Sequence, residues 1–354
     1  MLRRFAAPLV SLSIALLAAA LVMLVAKSNP LAAYAALLQG ALGSTSGIAE
    51  TLTQTTILLF TGLGVAIAFR AGLFNIGAEG QLVIGALCAA IVGAAVNLPT
   101  IIEVPLCFAA GAAGGAVWAF IAGWLRARRG ASEVITTIML NYIAFFTVNY
   151  LASGPLRGSN SAPETAQIMA SAVLQPIIPG TRLTVAFPLA ILAAIAAWWW
   201  LQRTVSGYEL RTLGRSERAA RYAGINTPRV IMQTMALSGA LAGLGGASDV
   251  LGLLHRFNAE LSPGYGFTSI AVALLAQSSP LAVMASSFFF GILQNGALSM
   301  QALAGVPKDL VSVIEGLVIL SMAVNWFGNR LQLREAAAAL APDEVSEATV
   351  GQVT

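Results

Sequence analysis

The chain is poor in charge, lysine, histidine and cysteine. Only 10% of its 354 residues are charged, against about 25% in a soluble domain. With 58% hydrophobic residues and a mean hydropathy of +0.81, it cannot cover its apolar surface in water, which leaves an integral membrane protein. Lysine occurs only as Lys27 and Lys308, preceded by Ala26 and Pro307. No Gly-Lys-[Ser/Thr] phosphate loop exists, so the chain has no ATPase of its own. The single histidine, His255 in "LLHRFNAELSPGYG", belongs to no cluster with metal-ligand spacing and reads as an interfacial side chain. No serine, histidine and acid are arranged for hydrolysis, so the chain does not read as an enzyme. Cys88 and Cys107 fall in apolar runs and read as packing residues rather than a disulfide. Strand-type alternation over about ten residues is missing, which argues against an outer-membrane barrel.

What is present is a series of apolar runs. Crossing the hydrocarbon takes roughly 20 apolar residues, and ten spans are expected: 8–26, 48–69, 74–96, 101–125, 134–152, 183–201, 230–252, 267–279, 281–299 and 309–327. The first follows Arg3 and Arg4, but it is longer than a signal-peptide core and leads into further spans, so it reads as retained. An all-α membrane domain over 1–333 is expected, with a cytoplasmic tail at 334–354 that reads as a frayed helix followed by disorder. With the N-terminus inside, fourteen basic residues are cytoplasmic and five (Lys27, Arg157, Arg182, Arg256 and Lys308) are outside. The positive-inside rule therefore places both termini in the cytoplasm. The outer loop 153–182 is too polar to span. Pro163, Glu164, Pro176 and Pro179 suggest a short surface helix within it.

The cytoplasmic loop 202–229 holds a second pattern. Ser216 caps a short helix, "ERAARYA", which Gly224 closes. Arg215, Arg218 and Arg221 share one face, and Ala219, Ala220 and Ala223 form a small apolar patch. Contact with anionic lipid accounts for the arginines. A docking knob for a soluble partner accounts also for the capped helix and its small residues.

The stretch "FRAGLFNIGAEGQLVIGA", residues 69–86, interrupts the apolar chain. Arg70 ends one span, Gly72, Gly77 and Gly80 let the backbone turn, and Asn75, Glu79 and Gln81 enter the next. A charge at bilayer depth costs about 2.5–3.5 kcal/mol on insertion scales. Two readings follow: a broken segment that lines a gate, or a carboxylate that holds the turn by pairing with Arg70 or capping broken-helix amides. Asn75, Asn141, Gln294 and Asn295 form the expected path-lining set. Asp249 and Glu315 are further polar residues at depth. Gly111 with Gly115, and Gly239 with Gly243, read as helix-packing seams.

These motifs resemble the permease subunits of ATP-binding-cassette importers for nucleosides and simple sugars, a superfamily that includes ribose and branched-chain amino acid permeases. The resemblance rests on "FRAGLFNIGAEGQLVIGA", on "GYELRTLGRSERAARYAGINTPRVIMQTMALSGALAGLGGA" as coupling loop and following helix, and on "GYGFTSIAVALLAQSSP". It covers residues 50–325 and is greatest for the larger permease of guanosine-type nucleoside importers. The coupling loop departs from the pattern at Gly214-Arg215-Ser216-Glu217, and Ala276 stands where glycine often follows "IAVALL". The resemblance implies a multi-pass permease in the cell (inner) membrane. Its implied partners are a cytoplasmic ATPase that binds ATP and Mg, a second permease of a different chain, and an extracytoplasmic substrate-binding protein. Arg215, Ser216, Arg218, Ala219, Ala220, Ala223 and Gly224 are then the ATPase-coupling residues. A sugar cargo, or an ion-coupled secondary transporter acting alone, are the alternatives.

Overall fold

The computed structural model describes residues 2–25, 28–158, 162–259, 261–307, 310, 312–314, 316–317 and 320, with side chains from Ser13 onward. Its helices in chain order are α1 (Leu2–Val25), α2 (Pro30–Leu42), α3 (Thr45–Arg70), α4 (Ala78–Ala95), α5 (Thr100–Arg129), α6 (Glu133–Ser153), α7 (Ala186–Arg203), α8 (Val205–Arg215), α9 (Glu217–Tyr222), α10 (Thr227–Asp249), α11 (Tyr265–Leu275) and α12 (Pro280–Ala304). A π turn, Val250–Leu254, extends α10. Among the described residues there is no named strand, only isolated bridges, so the all-α membrane architecture holds.

Seven of these helices are long and apolar enough to cross a bilayer: α3, α4, α5, α6, α7, α10 with its π turn, and α12. The bent pair α1–α2, broken by 118°, makes eight if counted as one span. The expected span at 8–26 coincides with α1 as far as Val25. The chain then continues into α2, where Asn29 Oδ1 accepts hydrogen bonds from the Leu31 and Ala32 amides and Pro30 opens the helix. The expected span at 267–279 is corrected. Helix α11 has 11 residues, about 16 Å at 1.5 Å per residue, roughly half the hydrocarbon thickness. Most of the expected span at 309–327, including Glu315, and the tail 334–354 lie outside the described residues.

The outer-loop helix expected after Pro163 is also corrected. This segment is mostly extended, with one 3-10 turn at Ala170–Ala172. Its amides are taken by distant carbonyls: Thr165 N donates to Phe257 O, Ile168 N to His255 O, Met169 N to Gly93 O and Leu174 N to Leu251 O. A helix would withdraw those donors. Glu164, expected in a first helical turn, instead pairs with Arg256 at 2.9 Å.

Helices α3, α4 and α10 are mostly buried, while α5, α6 and α7 face outward with Ile, Leu, Phe and Trp side chains. A helix apolar all round belongs inside a bundle or in lipid. The two expected glycine seams meet each other, pressing α5 onto α10. A Cβ on Gly239 would lie 2.2 Å from Gly115 O, and one on Gly243 would lie 2.1 Å from Gly111 O. Only glycine allows so close a backbone approach.

The arrangement that positions the candidate site is a pair of half-helices. After α3 the chain turns at Gly72 and runs back into the bundle, and α4 starts beside the middle of α10, where Asn75 meets Ser238. After α10 the non-helical residues 256–259 and 261–264 enter from the other end, with Phe257 and Leu261 buried. Helix α11 then starts against α4. A Cβ on Gly266 would lie 2.2 Å from Glu79 N. The two N-termini therefore abut inside the bundle, and α11 runs alongside α3, with Val272 against Gly62.

Candidate functional site

The start of α4 is built by the motif at 69–86. Gly72 adopts φ +75°, a conformation that side-chain-bearing residues rarely hold, and faces Gly214 of α8. Phe69 and Phe74 stack across the turn at 4.7 Å. Asn75, fully buried, accepts a hydrogen bond from Gly77 N at 2.9 Å and donates to Ser238 Oγ at 2.8 Å and to Gln81 Oε1 at 3.0 Å. Asn141 on α6 accepts from Gly80 N at 2.9 Å and donates to Ile76 O at 3.0 Å. Two amides at the start of α4, those of Gly77 and Gly80, are thus met by side chains inside the protein.

Glu79 serves the opposing helix. Its carboxylate accepts from Gly266 N at 2.6 Å, from Phe267 N and from the Ser262 hydroxyl. Gly266 and Phe267 are the second and third residues of α11, where donors are unpaired and the dipole favours an anion. A buried carboxylate is thereby held by charge-assisted bonds. Arg70 closes α3, and a cation there suits the helix C-terminus.

The four expected path-lining residues fall into separate groups. Asn75 and Asn141 share the start of α4. Gln294 reaches α11 by donating to Thr268 Oγ1 at 3.4 Å. Asn295 turns to α3, donating to Gly47 O at 2.8 Å and Thr51 Oγ1 at 2.9 Å. Sequence reasoning missed Ser238, Ser262, Gln54 and Tyr265. Tyr265 Oη donates to Gln54 Oε1, and Gln54 Nε2 to Glu50 Oε1 at 3.3 Å, a polar line from α11 along α3. The i, i+4 spacing of Glu50 and Gln54 on an otherwise apolar helix is the signal that could have found them.

The basic loop contains two helices rather than one. Thr204 caps α8, whose Leu210 and Leu213 are buried. Ser216 caps α9 by accepting from Ala219 N at 3.2 Å, and Gly224, at φ +77°, closes it with Ile225 N donating to Ala220 O. Arg215, Arg218 and Arg221 are exposed. The expected patch is divided: Ala219 and Ala223 face outward at i, i+4, whereas Ala220 is fully buried. On a helix, residues 219 and 220 point about 100° apart, so both cannot face the same way. Tyr222, 92% exposed, stands beside the outward pair and was not singled out from the sequence.

The comparisons with known proteins agree with this architecture. The family model described as "Branched-chain amino acid transport system / permease component" matches residues 47–323. The chain is 39% identical to the guanosine ABC transporter permease protein NupP of Bacillus subtilis, over 90% of this chain and 93% of that one. It is 34% identical to the glucose ABC transporter permease protein TsgB13 of Haloferax volcanii, over 98% and 94%. It is also 34% identical to the nucleoside ABC transporter permease protein NupB of Lactococcus lactis, over 92% of both.

Proposed function

Because the chain belongs to the branched-chain amino acid transport system permease family, we propose that it is the membrane permease subunit of an ATP-binding-cassette importer and forms the path for nucleosides. The observation that carries this reading is the 39% identity to a guanosine permease over nine-tenths of the chain. The fold suits it: the start of α4 is framed by the neutral side chains of Asn75, Asn141 and Ser238, which suit a neutral cargo rich in donors and acceptors.

In this reading the chain lies in the cell (inner) membrane with cytoplasmic termini. The cytoplasmic end is the one carrying α8 and α9. Arg126, Arg128 and Arg129 end α5 at the same end, since Gly123 packs on Met232 and Met235 near the start of α10. The knob of Arg215, Ser216, Arg218, Ala219, Ala223 and Gly224, held from beneath by Ala220, docks on a cytoplasmic ATPase. That partner binds ATP and Mg. A second permease of a different chain and an extracytoplasmic substrate-binding protein complete the importer. Asn75, Asn141, Gln294 and Asn295 line the path. Arg70, Gly72, Gly77, Glu79, Gly80 and Gln81 frame its gate.

Similarity to a glucose permease over 98% of the chain supports a second reading, with a simple sugar as cargo. Uptake of labelled guanosine, uridine, glucose and ribose, measured with the neighbouring ATPase and binding-protein genes co-expressed, separates the two. ATP-dependent nucleoside uptake is expected. Sugar uptake alone would favour the second reading. Strong uptake by the isolated chain in proteoliposomes under an ion gradient would overturn both.

A further inference from the structure

Asp249 is the last residue of α10 and only 2% exposed. Its Oδ1 is buried and accepts no hydrogen bond. A buried charge without a partner is strongly disfavoured. Glu50 is close enough to deepen the negative potential. Such a carboxyl is neutralised either by its own proton or by a positive or hydrogen-donating neighbour.

Asp249 lines a cavity of about 10 Å³ between α3, the π turn and the segment leading into α7, roughly the room for one water molecule or one small ion. The other polar side chains lining it are Thr53, Thr56, Ser248, Thr184 and Arg182. Three of the hydroxyls have already given away their hydrogens. Thr53 donates to Ala49 O at 2.9 Å, Thr56 to Leu52 O at 2.8 Å and Ser248 to Gly245 O at 2.7 Å. A hydroxyl in that state presents only lone pairs. Arg182 is exposed and makes no ion pair with Asp249. The π turn starting beside Asp249 is a distortion that recurs at functional positions in helices.

We propose that this cavity is a monovalent-cation site, with Asp249 as its anion and the hydroxyl oxygens of Thr53, Thr56 and Ser248 as neutral ligands. One carboxylate among neutral oxygens suits sodium or potassium. A calcium site takes six to eight oxygens and usually more acidic ones, and among the described residues no group of three His, Cys, Asp or Glu side chains forms a metal cluster. The bound ion ties α3 to α10 where the π turn begins and offsets the buried charge of Asp249. This proposal goes beyond the transport reading and does not depend on the cargo.

The test is the thermal stability of the purified full-length chain. Na+, K+ and N-methyl-D-glucamine chlorides are titrated at constant ionic strength, so that general screening is held fixed. A saturable rise in Tm of about 2 °C or more with Na+ or K+, absent with the organic cation, is expected from preferential binding to the folded state. Asp249→Asn should abolish the rise and Arg182→Gln should keep it. A wild-type Tm indifferent to the cation would mean that the cavity holds only water, and would overturn the proposal whatever the variants do. A rise that survives Asp249→Asn would overturn it too. A rise lost in Arg182→Gln as well as Asp249→Asn would replace it by a latch between those two side chains.

Discussion

Glu79 meets its donors in a segment far along the chain: Gly266 lies 187 residues away. That separation explains what could be read of it. The cost of a carboxylate inside an apolar run was visible, and so were two roles for it, but no spacing rule reaches across such a distance to name the amides it accepts from. Asn75 and Asn141 were visible as polar residues at depth for the same reason, while their partners, Ser238, Gly80 and Ile76, required the fold. The geometry gives a graded prediction. Glu79→Gln keeps an oxygen for Gly266 N and loses part of the set. Glu79→Ala leaves the Gly266 and Phe267 amides and the Ser262 hydroxyl without this acceptor, and an unsatisfied buried group costs about 1–3 kcal/mol. Tm and transport should both fall further in the alanine variant. Equal loss of transport at unchanged Tm in both variants would show instead that the charge itself is needed.

At the scale of elements, the long spans were legible because each is a run of about twenty apolar residues. Three features were not. Helix α2 was hidden by its 13-residue length after Asn29-Pro30. Helix α8 was hidden in an arginine-rich loop, where only Gly207, Leu210 and Leu213 are buried. Helix α11 has only 11 residues, and a short apolar run does not by itself tell a half-helix from part of a full span. For α9 the structure changes which substitution is informative. Tryptophan at the buried Ala220 would overpack the loop, costing about 1–3 kcal/mol, and would report on folding. Ala219→Trp projects outward beside Ala223 and leaves the interior untouched. If α9 docks on an ATPase, Ala219→Trp should abolish ATPase co-purification while the permease level is unchanged. Arg218→Gln should be tolerated, because exposed ion pairs are worth about 0–1 kcal/mol. Contact with lipid predicts the reverse order, so co-purification and transport of the two variants decide between them.

At the scale of the whole molecule, orientation follows from where the basic residues lie. The loop holding Gln175 should face the outside, opposite α8 and α9. A cysteine at the exposed Gln175 should react with an impermeant maleimide in intact cells, with the wild type as control for Cys88 and Cys107. Labelling only after permeabilisation would invert the topology. The same layout bears on how force crosses the protein. A Cβ on Gly214 of α8 would lie 2.0 Å from Arg70 O, at the end of α3, and Gly72 faces Gly214 in turn. Bare backbone touches bare backbone there, with no side chain between to act as a cushion. Close-packed interiors hand on strain rather than absorb it. If the loop docks on an ATPase as proposed, a push on it has no slack to take up before it reaches the turn that feeds α4, and the half-helix beyond that turn is expected to move as the far arm of a stiff lever.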